Sequence, residues 1–488
     1  MDKARKALMS ALLGAVVFAF WMWLYPQGLN YQEQNQLFLF TWDYLRERLA
    51  LPGGGADWLS EFLVQFFYFR WSGALVLALL AVLLQRAVWL AAAGVHPDRS
   101  RNFYALSFIP SLLMLVYMGD MEVLVSFPVA LVLAAAGCPL FARAGWHRLW
   151  LIPLGWWLLG PVVVVPVLFS VLVGRKGPDL VLAVFTGVVF YAGYRLLAAQ
   201  YPMRDAFFGI NYHRLRETLP ALQVVIPAVT LVCAFVCSLR TPVPMPAVVD
   251  GTVFSLLVLA AVMGVRLTYD KDAWEILAYD DLIRHERYQD VIHRAERYQP
   301  RTALSACSVN FCLFMDGHLT DRYPEFYQCG TGGLVRPSVK DNMSDITSAE
   351  LLWMMGMPNI TLQYCFDLQE SIQNGRKSGR FMTRIADCNI VNGWYARAGR
   401  YLDILSHSLF YRRRARELKA MVRDESRVAA DPVYAYVRSV RFRDDFITVY
   451  ESLDLMMAIL YNQNRNNFMA AEYYQVWRQL KQGEEVAP

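Results

Sequence analysis

Residues 251–282 read GTVFSLLVLAAVMGVRLTYDKDAWEILAYDDL, and this stretch contains the boundary that decides the fold. Its first part, residues 251–268, is an apolar run in which Arg266 is the single charged residue, and the charged triplet DKD follows at 270–272. Apolar runs of similar length recur before this boundary, and amphipathic helical patterns replace them after it. Because about 20 apolar residues cross a bilayer as a helix, we predict a membrane helix bundle in residues 1–269 and a soluble helical domain in 270–488.

The composition agrees with a chain that is partly embedded in lipid. Hydrophobic residues make up 56% and charged residues 18% of the 488 residues, against about 45–50% and 25% in soluble proteins. The net charge of +5 is small and spread along the chain, so it does not indicate nucleic-acid binding. The eight cysteines have irregular spacings that predict no disulfide framework.

The membrane half is predicted to cross the bilayer about eight to nine times. Basic residues at the N-terminus favour a cytoplasmic start, because cytoplasmic loops are enriched in lysine and arginine. The first apolar run lacks a small-residue cleavage site and is interpreted as an uncleaved span rather than a signal peptide. The candidate spans are residues 8–25, 71–94, 103–118, 123–141, 149–173, 179–198, 220–239 and 251–268.

The segment 149–173 leaves two topologies open. If it crosses once, the soluble domain is cytoplasmic, and the loop charges favour this alternative. If it dips into the bilayer and returns at Gly160-Pro161, the soluble domain lies outside. Such a broken helix is compatible with a bilayer provided that protein covers its freed backbone groups.

The first outer loop, residues 26–70, is too long and too apolar for a simple connection. Its pattern predicts one helix from Asn30 to Ala50 and a second from Asp57 to Phe69, separated by a proline and three glycines. In the second helix Asp57, Glu61 and Gln65 recur every four residues and share one face. The helix is either an interfacial strut or a wall of a site for a lipid substrate.

The soluble half is predicted to consist of helix pairs joined by short turns. One pair has Tyr395 in its first helix, Gly399 at the turn and Tyr401 opening the second helix. This pattern resembles a tetratricopeptide repeat, and similar spacings recur irregularly from Trp274 to Tyr474. The resemblance implies an α-solenoid that binds a protein or peptide partner.

Several common sites are missing from the sequence. No glycine-rich phosphate loop ending in lysine is present, and no hydrolase nucleophile motif occurs. Cysteines and histidines show no metal-ligand spacing. The cluster at Arg412–Arg414 is interpreted as a solvated face, with lipid headgroups or an acidic partner as the alternative.

Glu33 lies eight residues beyond the first span, in Tyr31-Gln32-Glu33-Gln34, and Asp120 and Glu122 lie in the second outer loop. Acidic residues at these places, together with the long loop, resemble the membrane glycosyltransferases that use polyprenyl-linked sugars. The resemblance implies that Glu33 is the catalytic base toward the acceptor, with Asp120 or Glu122 as a second acidic site. Members of that family usually have two adjacent acidic residues at this place, and this chain has Glu33-Gln34 instead. It also implies that Asp57, Glu61 and Gln65 contact the substrate, and that a basic residue steadies the lipid phosphate. Candidates for that residue are Arg204, Arg214 and Arg216.

The whole chain also resembles an uncharacterised family of Bacteroidota-type polytopic membrane proteins with such repeats. Some members of the glycosyltransferase superfamily carry C-terminal tetratricopeptide repeats on the catalytic side, which favours a periplasmic domain on a bacterial inner membrane. No cofactor is predicted with certainty, and a divalent cation would suit only the transferase.

Two other classes of function remain as alternatives. The first is a non-enzymatic scaffold that recruits envelope or secretion partners through the repeats. The second is a transporter or flippase, which ranks last because Arg86, Arg195 and Arg266 lie near span ends, where their side chains can reach the interface.

Overall fold

A computed structural model of the chain describes residues 3–95, 104–174, 179–197, 202–203, 221–239, 246–336, 343, 345–372, 375–442 and 453–486. Every regular element in these ranges is helical, which confirms the all-α prediction. The chain divides into two compact units. The bundle unit comprises residues 1–33 and 40–270, and the helical unit comprises residues 34–39 and 271–488.

The bundle unit contains long apolar helices and three short helices in its first loop. The helices are α1 (Lys3–Ala19, continued by a π turn to Leu24), α2 (Pro26–Gln34), α3 (Trp42–Leu49), α4 (Gly54–Val64), α5 (Arg70–Val95), α6 (Ile109–Tyr117), α7 (Ser126–Arg143), α8 (Arg148–Leu159), α9 (Val164–Val173), α10 (Asp179–Leu197), α11 (Ala221–Ser238) and α12 (Ala247–Thr268).

All eight predicted apolar segments coincide with helices. Within the described ranges, six helical segments, including the one at 145–173, are long and apolar enough to cross a membrane, and this indicates a membrane protein. The apolar helices Tyr104–Tyr117 and Val181–Leu197 are shorter. The prediction of eight to nine spans therefore stays a prediction.

Polar contacts define two ends of the bundle unit. At one end Arg5 lies 3.7 Å from the Asp250 carboxylate near the start of α12. At the other end the Thr268 hydroxyl donates to the Val116 carbonyl over 2.8 Å. We call these the N-terminal end and the loop end. Helix α12 therefore runs from the N-terminal end to the loop end before the helical unit begins.

The apolar segment 145–173 is broken at Gly160. Gly160 has φ +72°, a conformation that favours glycine. A Cβ on Gly155 would lie 2.6 Å from the side chain of Val163. Residues eight apart in a straight helix are separated by about 12 Å, so the chain folds back on itself between α8 and α9.

The predicted helix from Asn30 to Ala50 is wrong. Helix α2 ends at Gln34, residues 36–40 have no regular secondary structure, and α3 begins at Trp42. The Thr41 hydroxyl caps α3 by accepting from the Tyr44 amide over 3.3 Å. The irregular segment is bonded elsewhere, because the Leu37 amide donates to the Lys377 carbonyl over 2.8 Å. The second predicted helix is shorter than expected: α4 ends at Val64 and a 3-10 turn follows to Tyr68.

The helical unit contains helices of moderate length in pairs. They are α13 (Lys271–Arg284), α14 (Tyr288–Arg297), α15 (Ala303–Met315), α16 (Leu319–Arg322), α17 (Asp345–Met354), α18 (Pro358–Ser371), α19 (Gly379–Val391), α20 (Tyr395–Leu405), α21 (Tyr411–Met421), α22 (Glu425–Ala430), α23 (Pro432–Val440), α24 (Leu453–Gln463) and α25 (Phe468–Val486).

Four helix pairs in this unit share one turn geometry. A residue with positive φ ends the first helix at Glu286, Gly317, Gly356 and Gly393. In each turn the next amide donates to the carbonyl five residues earlier, as in Trp394 to Asn389 over 2.8 Å. This is the glycine-based cap that commonly ends helices. The predicted turn at Gly399 is wrong, because Gly399 lies inside α20 and the turn is at Gly393.

The helical unit has a closed core. Helices α17 to α21 each pack on the next, as in repeat proteins. However, α25 returns to pack on α16, and one core cluster runs from Tyr279 to Trp477. The prediction of an α-solenoid therefore stays a prediction.

Candidate functional site

The first and second loops of the bundle unit are fastened together at the loop end. The Gln32 side-chain amide donates to the carbonyls of Met121 and Val123, over 3.1 and 2.6 Å. Gln32 is only 6% exposed. A buried amide with two backbone acceptors holds its segment in one register, so the loop that carries Glu33 is fixed against the loop that carries Asp120.

The predicted carboxylates of these loops differ in their surroundings. Glu33 lies next to the end of α2 and is only 4% exposed. Asp120 is half-buried, and its carboxylate accepts from the Glu122 amide over 3.0 Å. Glu122 itself is exposed. Glu33 is therefore the one of the three that burial separates from bulk water.

Tyr25 marks a concentration of acidic groups at the same end. Tyr25 is fully buried, and Asp120 and Asp270 are among the groups close enough to act on its phenol electrostatically. These two carboxylates would attract a cationic or hydrogen-bond-donating part of a ligand.

A cavity of about 780 Å³ opens among α4, the α8–α9 break, α7 and α11. Among the described residues that line it, Asp57 is the single charged one, with Ser126 and Gln223 as polar neighbours. Gln223 also accepts from the Tyr117 hydroxyl over 3.2 Å, which places the cavity at the loop end. Cavities of about 300–1,000 Å³ with apolar walls and few polar groups are typical ligand sites.

Backbone contacts between glycines build one wall of this cavity. The Gly53 amide donates to the Trp157 carbonyl over 2.8 Å. Gly53 has φ +83°, and a Cβ there would lie 3.6 Å from Gly160 backbone atoms. A Cβ on Gly54 would lie 1.9 Å from the Arg48 carbonyl oxygen. The three-glycine stretch is therefore required for the close approach of two backbones.

Glu61 and Gln65 do not share the surroundings of Asp57. The Glu61 carboxylate is fully buried, accepts from Arg48 Nε over 3.0 Å and from the Tyr44 hydroxyl, and so closes a triad inside the loop. Gln65 is buried and its amide donates to the Phe62 carbonyl over 3.0 Å. Of the three predicted substrate contacts, Asp57 alone lines the cavity.

The remaining predicted residues are placed as follows. Arg204, Arg214 and Arg216 lie outside the described residues. Where the structure describes the chain, it brings no three histidine, cysteine or acidic side chains together as metal ligands.

Comparison with known proteins identifies a family and no activity. One family profile matches residues 3–482, nearly the whole chain. The chain belongs to this family, described as a family of unknown function (DUF6057). No curated protein and no solved structure matches it.

Residues that shape the site of this DUF6057 member were missed at the sequence level. Gln32, Gln223 and the pair Tyr44–Arg48 carry no motif, and each acts through a partner that is distant in the chain or on another helix. The one local signal was the i to i+4 spacing of Tyr44 and Arg48 on α3, which places both on the same face.

Proposed function

We propose that this protein binds a polyprenyl-phosphate-linked sugar and transfers the sugar to an acceptor at the loop end. The observation that carries the proposal is the apolar cavity bordered by Asp57, which lies at the same end of the bundle unit as the two fastened loops. An apolar cavity that opens within a membrane bundle suits a lipid chain.

In the proposed reaction Glu33 acts as the general base. Its carboxylate takes the proton of the acceptor hydroxyl as the acceptor oxygen forms a bond to C1 of the sugar. The bond from C1 to the phosphate oxygen breaks, and polyprenyl phosphate leaves with the electron pair. Burial keeps bulk water from competing with the acceptor, and a positioned base contributes about 10²–10⁴-fold to such rates.

We further propose that the helical unit and the loop end face the periplasm of a bacterial inner membrane. Lys3, Arg5 and Lys6 favour a cytoplasmic N-terminus. Helix α12 leads from the N-terminal end to the loop end, and the chain continues into the helical unit from there. The fold-back at Gly160 supports the re-entrant topology. We give it more weight than the loop charges, because it concerns the path of the chain itself.

A natural cysteine can test this sidedness. Cys329 in the helical unit is the one exposed cysteine of the eight, and the other seven are buried. A membrane-impermeant maleimide added to spheroplasts should label Cys329 without lysis, and Cys329→Ser should abolish the labelling. Labelling only after lysis would place the helical unit in the cytoplasm and remove the proposed topology.

The transfer itself is tested with Glu33→Gln and a matched acid in the same loop. Glu47 is 65% exposed, and so Glu47→Gln serves as the control. Purified protein is supplied with a panel of radiolabelled polyprenyl-phosphate hexoses, and release of polyprenyl phosphate is measured. We expect release from the wild type and from Glu47→Gln, and a loss of at least 100-fold for Glu33→Gln in folded protein. Equal activity of the two variants would reject the transferase and leave the scaffold as the leading function.

A further inference from the structure

The residues on both sides of Glu33 are anchored by different partners. Gln32 is bound to the second outer loop, as described above. Gln34 accepts a hydrogen bond from Arg380 Nη1 over 3.0 Å within the helical unit. We infer that Arg380 is a positioning residue, which acts through Gln34 to hold Glu33 in place. The assignment of Glu33 as the group that needs positioning rests on the proposed function.

Arg380 is itself held by a set of acidic groups. Its Nη1 lies 2.9 Å from both carboxylate oxygens of Asp280, and its Nη2 lies 3.4 Å from Glu350. The Arg380 side chain is 10% exposed. A guanidinium that is paired with two carboxylates has little rotational freedom, and it therefore offers Gln34 a fixed donor.

The chain beyond Gln34 is bound to the helical unit as well. The Leu37 amide donates to the Lys377 carbonyl, and the Leu37 side chain packs in a core cluster with Trp353 and Met382. The loop that carries Lys377 is itself fixed, because the Gln369 side chain makes two hydrogen bonds of 2.9 Å with the Ser378 backbone. We call residues 34–39 the strap.

The acidic partners continue into a larger network. Glu350 accepts from Arg384 over 2.5 Å, and Asp387 accepts from the Tyr434 hydroxyl over 2.7 Å. Burial would raise the pKa of Glu350, but the guanidinium groups of Arg384 and Arg380 outweigh burial and hold that pKa below its ordinary value. Charges that are satisfied in this way form a rigid support for the groups that they orient.

The strap therefore has two features of a device for positioning. Its polar end is hydrogen-bonded to a charged, immobile donor, and its apolar end is buried in a core. The peptide bond between Glu33 and Gln34 transmits that anchoring to the carboxylate of Glu33. The anchoring of the strap would then act on Glu33 through the backbone alone.

The test uses the full chain in lipid nanodiscs and compares Gln34→Ala, Arg380→Ala and the double variant. Gln289→Ala is the control, because Gln289 is an exposed glutamine of the same unit with a single hydrogen bond to a carboxylate, that of Asp316. Two rates are measured by mass spectrometry: hydrogen exchange of peptides that contain the strap, and carbodiimide-driven amidation of Glu33. Neither rate requires a sugar donor, so failure of the proposed reaction and failure of this inference are distinguishable.

We expect Gln34→Ala to accelerate exchange of the strap by about 10- to 100-fold, the loss typical of a hydrogen bond to a charged group. It should also change the amidation rate of Glu33 at least threefold, whereas Gln289→Ala should leave both rates within twofold. The double variant should equal Arg380→Ala, because Arg380→Ala already removes the hydrogen bond that Gln34→Ala removes.

Three results would overturn the inference. The first is an unchanged amidation rate of Glu33 in Gln34→Ala, the second is a change in strap exchange without a change at Glu33, and the third is full additivity in the double variant. If Arg380→Ala fails to fold, Gln34→Ala decides alone, because it leaves the pairing of Arg380 with Asp280 intact.

Discussion

Glu61→Gln should destabilise the bundle unit. Glu61 lies one helical turn from the cavity-lining Asp57, but its role is structural and not substrate binding. Glu61 is fully buried and opposes Arg48, whose side chain is 10% exposed. Breaking a buried ion pair by neutralising one partner costs about 3–5 kcal/mol. Glutamine retains one acceptor for Arg48 or Tyr44, and so we expect a loss of about 3 kcal/mol. In a unit of this size that corresponds to a melting temperature lower by about 6–12 °C.

The assay is thermal unfolding in detergent, followed by labelling of the buried Cys138 and resolved by mass spectrometry. Glu47→Gln removes an exposed acid from the neighbouring helix α3 and should shift the transition by less than 2 °C. Asp57→Asn should leave the melting temperature within about 2 °C of the wild type, because Asp57 lines the cavity and is not part of the Glu61 triad. A Glu61→Gln variant that unfolds within 2 °C of wild type but binds lipid poorly would refute the structural role and restore Glu61 as a substrate contact.

Three further predictions concern the helical unit. Leu37→Ala should expose the buried Cys388 to maleimide about 30-fold faster or more, because truncation of a buried leucine costs about 2–5 kcal/mol. Gly393→Ala should lower the free energy of unfolding by about 1 kcal/mol, because Gly393 has a positive φ. Gly399→Ala should raise it by about 0.5–1 kcal/mol, because Gly399 lies inside α20 with open space where a Cβ would be. Both changes are measured by urea denaturation. The lowered pKa of Glu350 means that its contribution is present above the ordinary value of 4.5 and is lost as the pH falls through the lowered pKa, so Glu350→Gln should reduce the acid sensitivity of the melting temperature.

Hydropathy predicted the helices of the bundle unit well, because each apolar run must be covered by lipid or protein along its own length. Even the shorter helix Tyr104–Tyr117 was anticipated within a few residues. The number of crossings could not be obtained in this way. Whether residues 145–173 cross the membrane once or turn back within it depends on the backbone conformation at Gly160. Hydropathy averaged over a window of residues does not detect the conformation of a single residue.

The errors in the loop and in the repeats have the same physical origin. Residues 30–50 have a helical pattern, but residues 36–40 are not helical, and the Leu37 amide is bonded to the Lys377 carbonyl more than 300 positions away. Such tertiary pairing overrides local preference. At the fourth helix pair two glycines compete for the turn, and Gly393 is used because Asn389 and Trp394 close the cap around it. In the sequence alone, a glycine inside a helix, such as Gly399, cannot be distinguished from a glycine that ends a helix.

Glu33 illustrates the limit of prediction for the site. The run from Gln32 to Gln36 is polar throughout, yet all five residues are buried. Buried polar groups need partners, and Gln32 is bonded to the second loop while Gln34 is bonded to Arg380. A solvated carboxylate would gain nothing from such anchoring. Ordering this polar segment costs free energy of folding. That cost is best explained if the orientation of Glu33 matters to what the protein does.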